Sequence, residues 1–600
     1  MPTMRALRRM LPYYRPYYRQ VFVGLAFVVL SSAFASVTPW LLRAALDGIR
    51  GDAPASRIWT LAAGMVGVAL VAGVLRYGMR ELINGLSRRI EYDLRNDLFA
   101  HLMHLDARYF GRMRTGDIMA RLTNDLSAVR QAVGPAIMYL TNTVAGAVFA
   151  LYFMLRIDGR LTLLALLPMV LLPIVTLWLG RAIHERFEAV QEHFSTITTR
   201  AQENLAGARV VRAYRQEDAE LRRFAGLNEE YLTKNMQLVR LYGVMNPAFG
   251  LLAGLGAVTV LGFGGTLAVR GTISVGAFVA FGLYLGMLTW PLIALGWVVN
   301  LFQRGAASAV RLLEILDQPR GIDEPSPPVR LAPTSAGRSV EFRNVGFHYP
   351  PPADGEPRWV LRDIAFTVPA GATLAVVGAT GSGKSALLEL LARVYDPQQG
   401  QILLDGTDIR SLALDDLRRE IGFVPQESLL FSETIRANLA YGTEDDSSAE
   451  WAAQVAQLES TIENFPGGYK TLLGERGINL SGGQKQRAAL ARALARKPSI
   501  VVLDDALSAV DTHTEADILR GLREALRGRT SIIASHRISA VRDATWIIVL
   551  DEGRIVEQGK HTDLINAGGR YWTLLRRQQL EDAIEDADVT SPGTAGVAAS

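Results

Sequence analysis

The sequence predicts a membrane α-helical bundle of six transmembrane helices fused to a soluble α/β nucleotide-binding domain of the P-loop kind. Three observations carry that expectation. Across 600 residues the apolar content is 49%, too high for a wholly soluble chain of this length. The first half holds six apolar stretches, each near the ~20 residues that a helix needs to cross the hydrocarbon core. The second half holds GATGSGKS at residues 378–385, set between a short apolar run and a helix-like segment.

Taken in order, residues 1–19 form a basic, aromatic segment, MPTMRALRRMLPYYRPYYR, with no small-residue cleavage site after an apolar region, so the N-terminus is expected to stay cytosolic. Met4, Leu7, Met10 and Leu11 recur at helical spacing between arginines, which suits either a helix in the headgroup layer or a flexible basic tail. The bundle, residues 20–317, has its apolar windows at 21–41, 59–75, 137–155, 161–179, 244–267 and 275–301. Short links join the first to the second, the third to the fourth and the fifth to the sixth. The two remaining links are long, amphipathic and rich in arginine, with few helix breakers. They therefore read as cytosolic continuations of the membrane helices, with tips near 110–117 and 207–216, either docking a soluble partner or simply solvated. An even number of spans then places both termini and the soluble domain in the cytosol.

Charged residues at membrane depth are costly unless they pair or reach water. Arg76, Arg80 and Glu81 are expected to snorkel to the interface, and Asn142, Asn246 and Pro247 are candidate cavity residues. Residues 318–339 are rich in proline, glycine and serine and read as a linker. From 340 to 580 short apolar runs alternate with helical patterns, the sign of an α/β domain. Residues 581–600 are acidic, then small and polar, and disorder is expected there. The sequence contains no cysteine, which excludes disulfides, Fe–S clusters and cysteine-bound zinc. Its net charge of +4, spread along the chain, gives no sign of a nucleic-acid partner.

The chemistry is concentrated in the α/β part. In G-x-x-x-x-G-K-S, the glycines Gly378, Gly381 and Gly383 let the backbone curl through Ala379, Thr380 and Ser382 so that successive N–H groups face phosphate oxygens. Lys384 reaches the terminal phosphates and Ser385 can ligate Mg²⁺. A solvated lysine in a glycine-rich turn is the plain alternative for a lone match, and the strand and helix patterns on either side argue against it. IVVLD at 500–504 reads as a buried parallel strand that delivers Asp504 to the nucleotide's Mg²⁺ at its carboxyl end. LSGGQ at 480–484 precedes a helix-forming run, so Ser481, Gly482, Gly483 and Gln484 form either an anion-facing helix start or an ordinary N-cap.

With these motifs in this order, the chain resembles a half-transporter of the ATP-binding-cassette (ABC) exporter family, over nearly its whole length. The resemblance implies the type 1 (type IV) exporter fold, ATP and Mg²⁺ as cofactors, and a role for each matching residue. Tyr349 in FHYP would stack on adenine. Ser385, Gln426 in VPQE and Asp504 would hold Mg²⁺, and Gln426 would report its state to the membrane part. GERG at 474–477 would contact the cytosolic tips, and 110–117 and 207–216 would be the coupling regions. Ser481 to Gln484 would close over ATP bound to the opposite chain, SAVD at 508–511 would cross the dimer interface, and His536 would sit near the γ-phosphate.

One position departs from the family pattern. The residue after Asp504, normally a glutamate that polarises the attacking water, is Asp505. A carboxylate drawn back by one methylene is misplaced by about the length of a C–C bond, and ~1 Å can cost roughly 100-fold. The expectation is therefore a heterodimer, in which this chain's site is degenerate and a second half-transporter supplies the catalytic glutamate. A homodimeric exporter or lipid flippase, and an ATP-gated channel or sensor, are the alternatives. Cargo is expected among amphiphilic drugs, lipids or peptides in contact with membrane lipids, and a cell inner membrane is the expected location.

Overall fold

The computed structural model describes residues 2–334, 336–349, 356–443, 445–474, 477–510, 512–538 and 541–590. It divides into two compact units. One comprises Met1–His104 with Met113–Gln318, the other Leu105–Arg112 with Pro319–Ser600.

The first unit is helical. Five helical runs, Arg5–Arg50, Ala55–Met103, Thr115–Ile157, Gly159–Ala206 and Glu217–Val269, are long and apolar enough to cross a membrane. The sixth expected span lies in the helix Val275–Leu316, whose segment Val275–Thr289 is apolar. The Ala55–Met103 helix has 49 residues and is about 70 Å long at 1.5 Å per residue, against a hydrocarbon core of ~30 Å. The long links are thus continuations of the membrane helices, as their lack of breakers predicts.

Local chemistry sets the turns between them. Gly134 precedes Pro135 at the first helical position, and a Cβ on Gly134 would stand 2.4 Å from Ser87 Cβ, so only glycine lets these helices approach. Asp158 caps the next helix by accepting from Leu161 N at 2.7 Å. In the core, Phe153 stacks on Tyr284 at 5.3 Å, and the Tyr284 hydroxyl donates to Ser36 O at 2.7 Å, joining three helices. Beyond the apolar windows, Asp125 accepts from Arg311 Nε at 2.7 Å and from Ser308 Oγ at 2.9 Å.

Several expectations are corrected here. The N-terminal segment is a packed element, not a loose tail. Met10 is buried, Arg9 pairs with Asp317, Tyr13 donates to Asp97 at 2.7 Å and Tyr17 to Asp93 at 3.0 Å. Asn142 is half-buried and accepts from Ser32 Oγ at 3.2 Å, so it serves helix packing; Pro247 is exposed, and the Asn246 side chain lies outside the described residues. Arg76, Arg80 and Glu81 are exposed, as snorkelling requires.

The second unit contains two sheets. The first is antiparallel, formed by β1 (Val340–His348), β2 (Trp359–Val368), β4 (Gln399–Leu404) and β5 (Thr407–Asp408) in the order β2-β1-β4-β5. The second has the order β10-β9-β3-β8-β7-β6, with β3 (Thr373–Gly378), β6 (Ile421–Val424), β7 (Ile500–Asp504), β8 (Thr530–Ala534), β9 (Trp546–Asp551) and β10 (Arg554–Gly559). Its strands from β9 to β6 run parallel. β3 and β7 are buried throughout or nearly so, which is why they read as continuous apolar runs.

The segment read as a linker, from residue 319 onward, is grouped with this unit. Arg338 is buried and donates to Glu420 at 3.0 Å and Asp405 at 2.8 Å. Also grouped with the unit is Leu105–Arg112, the turn of the first long link, which begins N-terminal to the expected 110–117 and overlaps it at 110–112. Its helix Ala107–Arg112 carries a buried Tyr109, and Asp106 packs so tightly on Gly321 that a Cβ there would meet Asp106 Oδ2 at 2.0 Å. The second tip falls where expected, at the helix Ala208–Ala213. The final helix, Arg570–Thr590, overruns the expected start of disorder at 581. Leu, Gln, Glu and Ala sustain it, and residues 591–600 lie outside the described residues.

Candidate nucleotide site

The phosphate loop follows β3 and leads into the helix Lys384–Leu391, the strand-to-helix context that the motif needs. Gly378 ends the strand where a Cβ would meet Leu550 O at 2.3 Å. Gly383 sits at φ +105° and its Cβ would meet Leu361 Cδ2 at 2.7 Å. Space and left-handed backbone together therefore demand glycine. Lys384 Nζ folds back to donate to Gly378 O at 2.7 Å and Ala379 O at 3.0 Å. Ser382 is buried, yet its Oγ has no hydrogen-bond partner among the described residues. A buried hydroxyl without a partner is costly, and a phosphate oxygen held in this loop would satisfy it.

β3, β8, β7 and β6 are consecutive neighbours, so their carboxyl ends form one rim, the place where parallel α/β sheets bind ligands. The rim gathers Gly378 to Ser385 after β3, His536 after β8, Asp504 and Asp505 at the end of β7, and an exposed Gln426 after β6. Asp504 is 4% exposed. Burial pushes its carboxyl above the usual range, although a hydrogen bond from Ser385 and the charge of Lys384 oppose the shift. Burial likewise lowers the Lys384 ammonium, against the pull of Asp505 and Asp504. A carboxylate and an ammonium both short of solvent suit a site that awaits a divalent cation and polyphosphate. Ser385, Asp504 and Gln426 fit as oxygen donors to Mg²⁺, a hard cation.

Asp505 sits in the left-handed region at φ +51° and donates its N–H to Ala534 O at 2.9 Å. Its Oδ2 lies 2.8 Å from His536 Nδ1. Neither feature is legible from spacing, because both depend on β7 and β8 being neighbours. Aspartate's tolerance of left-handed backbone is the one local hint.

Tyr349 meets Phe347 and Tyr395 edge-on, at 5.0 and 5.5 Å, and its hydroxyl donates to Glu389 at 3.2 Å. Glu389 was not anticipated, though a carboxylate inside the apolar run SALLELLARV is an available signal. Burial raises its pKa while the Tyr349 hydrogen bond lowers it.

Of the two arrangements that the sequence left open, the signature segment forms the N-cap. Ser481 caps the helix Gly482–Ala495 through a capping box, with Ser481 N donating to Gln484 Oε1 at 2.9 Å. Gly483 lies against the loop after Asp505, where a Cβ would meet Ala509 O at 2.6 Å. Gln486 holds the same loop, donating to Ser508 Oγ and accepting from Ala509 N, each at 2.9 Å. From the other side Arg537 donates to Ser508 O and Val510 O, each at 3.2 Å. Asp511, Glu475 and Arg476 lie outside the described residues.

A phosphate loop on the rim of a parallel sheet, in a chain with helices long enough to cross a membrane, defines a nucleotide-driven membrane protein. Residues 21–292 match the family model described as the ABC transporter transmembrane region, and residues 361–508 match the model described as ABC transporter. The chain is 36% identical to the probable multidrug resistance ABC transporter ATP-binding/permease protein YheI of Bacillus subtilis, covering 96% of this chain and 97% of that one. It is 34% identical to the ATP-dependent lipid A-core flippase of Syntrophus aciditrophicus, over 97% and 96%. The structure of a bacterial Atm1-family ABC exporter with ATP bound aligns with a TM-score of 0.74 at 30% identity, over 94% of this chain and 99% of that one. The chain belongs to the ABC transporter family, as an exporter-type membrane chain that fuses a transmembrane region to an ATP-binding domain.

Proposed function

We propose that the chain is one half of a heterodimeric, ATP-driven exporter whose own nucleotide site binds ATP with Mg²⁺ but turns over slowly. The observation that carries this reading is Asp505. Its carboxylate is one methylene shorter than the family's glutamate and lies against His536 Nδ1 at 2.8 Å, so it stops short of the water that a general base must reach. The binding groups around it are all present: Lys384 for the terminal phosphates, Tyr349 for adenine, and His536 for the γ-phosphate. When bound at Ser385, Asp504 and Gln426, Mg²⁺ neutralises charge on the phosphate oxygens. Ser481, Gly482, Gly483 and Gln484 complete the other site, on a partner that carries the glutamate. Loss of one catalytic group with retention of the binding groups fits division of labour between two sites.

Relatives named for multidrug resistance and for lipid A-core flipping support an amphiphilic cargo, drug, lipid or peptide, moved by alternating access. The arginine-rich links support an inner-membrane orientation with both termini cytosolic. The test is the ATPase rate of the purified chain in lipid, alone and with the half-transporter encoded beside it. Near-inert chain, and activity in the pair that dies when the partner's glutamate is neutralised, supports the heterodimer. Steady, lipid-stimulated turnover by the chain alone establishes the homodimeric exporter or flippase instead.

A further inference from the structure

In the helical unit, Asn124, Ser127, Ala128 and Gln131 on one helical run and Leu301 and Arg304 on Val275–Leu316 line an open cavity of about 230 Å³. The spacing of 124, 127 and 131 is that of one helix face, and that face is polar but uncharged. The rest of the run is packed: Leu126 and Val129 are buried, and Ala132 lies against Gly305 of the second helix. Around the cavity the ionic groups are already matched. Asp125 is taken by Arg311 and Ser308, Glu314 pairs with Arg121 at 3.0 Å, and Arg130, whose NH2 reaches Ser127 at 3.5 Å, pairs with Glu91 at 3.4 Å. Arg304 is exposed and has no hydrogen bond or ion pair among the described residues. No acidic side chain lines the cavity.

The position is as informative as the lining. The apolar windows end at residue 301 on one helix and begin at 137 on the other, so the cavity stands where the apolar spans give way to polar, arginine-bearing sequence. Leu301 is the last apolar residue of its window and Arg304 is one helical turn beyond it.

We propose that this cavity is a headgroup subsite for amphiphiles whose head is a phosphate or carboxylate, with the apolar tail lying along the membrane side of Leu301. Arg304 supplies the charge and the fork geometry that recognise such a group, while the Asn124 and Gln131 amides and the Ser127 hydroxyl complete its hydrogen bonds. A cationic head meets Arg304 with no carboxylate to offset it and is disfavoured. The proposal rests on the exporter reading only for the fate of the ligand; binding itself requires no ATP.

The experiment uses the assembled complex in phosphatidylcholine nanodiscs, with empty discs as blank. The probes are oleoyl lysophosphatidate and oleoyl lysophosphatidylcholine, which share a tail and differ in net head charge. Protein-dependent binding without nucleotide is expected to favour the phosphate monoester about tenfold, equivalent to ~1.4 kcal/mol. Arg304→Gln should abolish the preference and Arg304→Lys retain most of it. The double variant Asn124→Ala with Gln131→Ala, in which the arginine is untouched, should reduce it about threefold. Millimolar inorganic phosphate should not compete, because it has no tail. Equal binding of the two probes by the unmodified complex, a preference that survives Arg304→Gln, or full competition by inorganic phosphate overturns the proposal. Translocation is measured separately in proteoliposomes: a retained preference with no ATP-driven movement upholds the subsite and counts against the exporter reading.

Discussion

The pairing of Asp505 with His536 sets how far the carboxylate can reach, and a change of one methylene tests it. In a complex whose partner site has been silenced, Asp505→Glu is expected to raise single-turnover hydrolysis at least about tenfold, since ~1 Å of displacement is worth up to roughly 100-fold. An unchanged rate would mean that reach is not the limitation. Glu389 offers a second test, because it accepts the Tyr349 hydroxyl at 3.2 Å. Glu389→Ala should raise KM for ATP several-fold at constant kcat, while Glu389→Gln, which keeps an acceptor, stays near the original value. Equal effects from both would assign Glu389 to packing alone. Asp504 gives a pH argument with a definite sign. Burial raises its carboxyl pKa above the unfolded value, so the folded chain binds that proton more tightly. Its contribution to stability falls as pH rises from the ordinary carboxylate range through the raised value, and the cost persists at neutral pH. Asp504→Asn removes the cost. Without nucleotide the melting temperature should rise, while the stabilisation given by ATP with Mg²⁺ disappears; calorimetry reads both.

The signature helix and the loop after β7 behave as one device, because they touch where no side chain fits. Gly483 faces Ala509 O so closely that a methyl would stand at 2.6 Å, and Gln486 bonds Ser508 and Ala509 from the same helix. Movement of the helix start therefore carries residues 508–510 with it, and these lead on from Asp505. Gly483→Ala is expected to cut turnover of the assembled complex at least tenfold and to lower its melting temperature, because backbone, unlike a flexible side chain, gives way only by shifting the loop. ATPase assay together with calorimetry checks it. The helices of the membrane unit show a different economy. The cap at Asp158 and the close approach at Gly134 stop and turn them, and between those two points runs the apolar helix Pro135–Ile157.

Much of this chain was legible because it repeats one local rule at a time. Apolar windows of bilayer length, long breaker-poor links, and a glycine-rich turn between strand and helix each depend on neighbours in sequence, and they placed the two parts and the phosphate loop. The contacts that needed topology were not legible. His536 meets Asp505 because β8 lies beside β7, Tyr349 meets Glu389 because β1 ends near the helix after the phosphate loop, and Arg338 anchors a proline-rich segment that composition alone marks as a linker. The turn of the first long link begins earlier in the sequence than expected, for a similar reason. The contact of Asp106 with Gly321 joins residues more than two hundred positions apart, and no periodicity announces it. That contact has a hereditary side. Leu105–Arg112 is counted with the nucleotide-binding unit although its codons lie deep within the membrane half. A crossover between related genes just before Gly321 would separate Asp106 from the segment it packs against. Working hybrids of such transporters should therefore be those that inherit this short segment together with the distant second half.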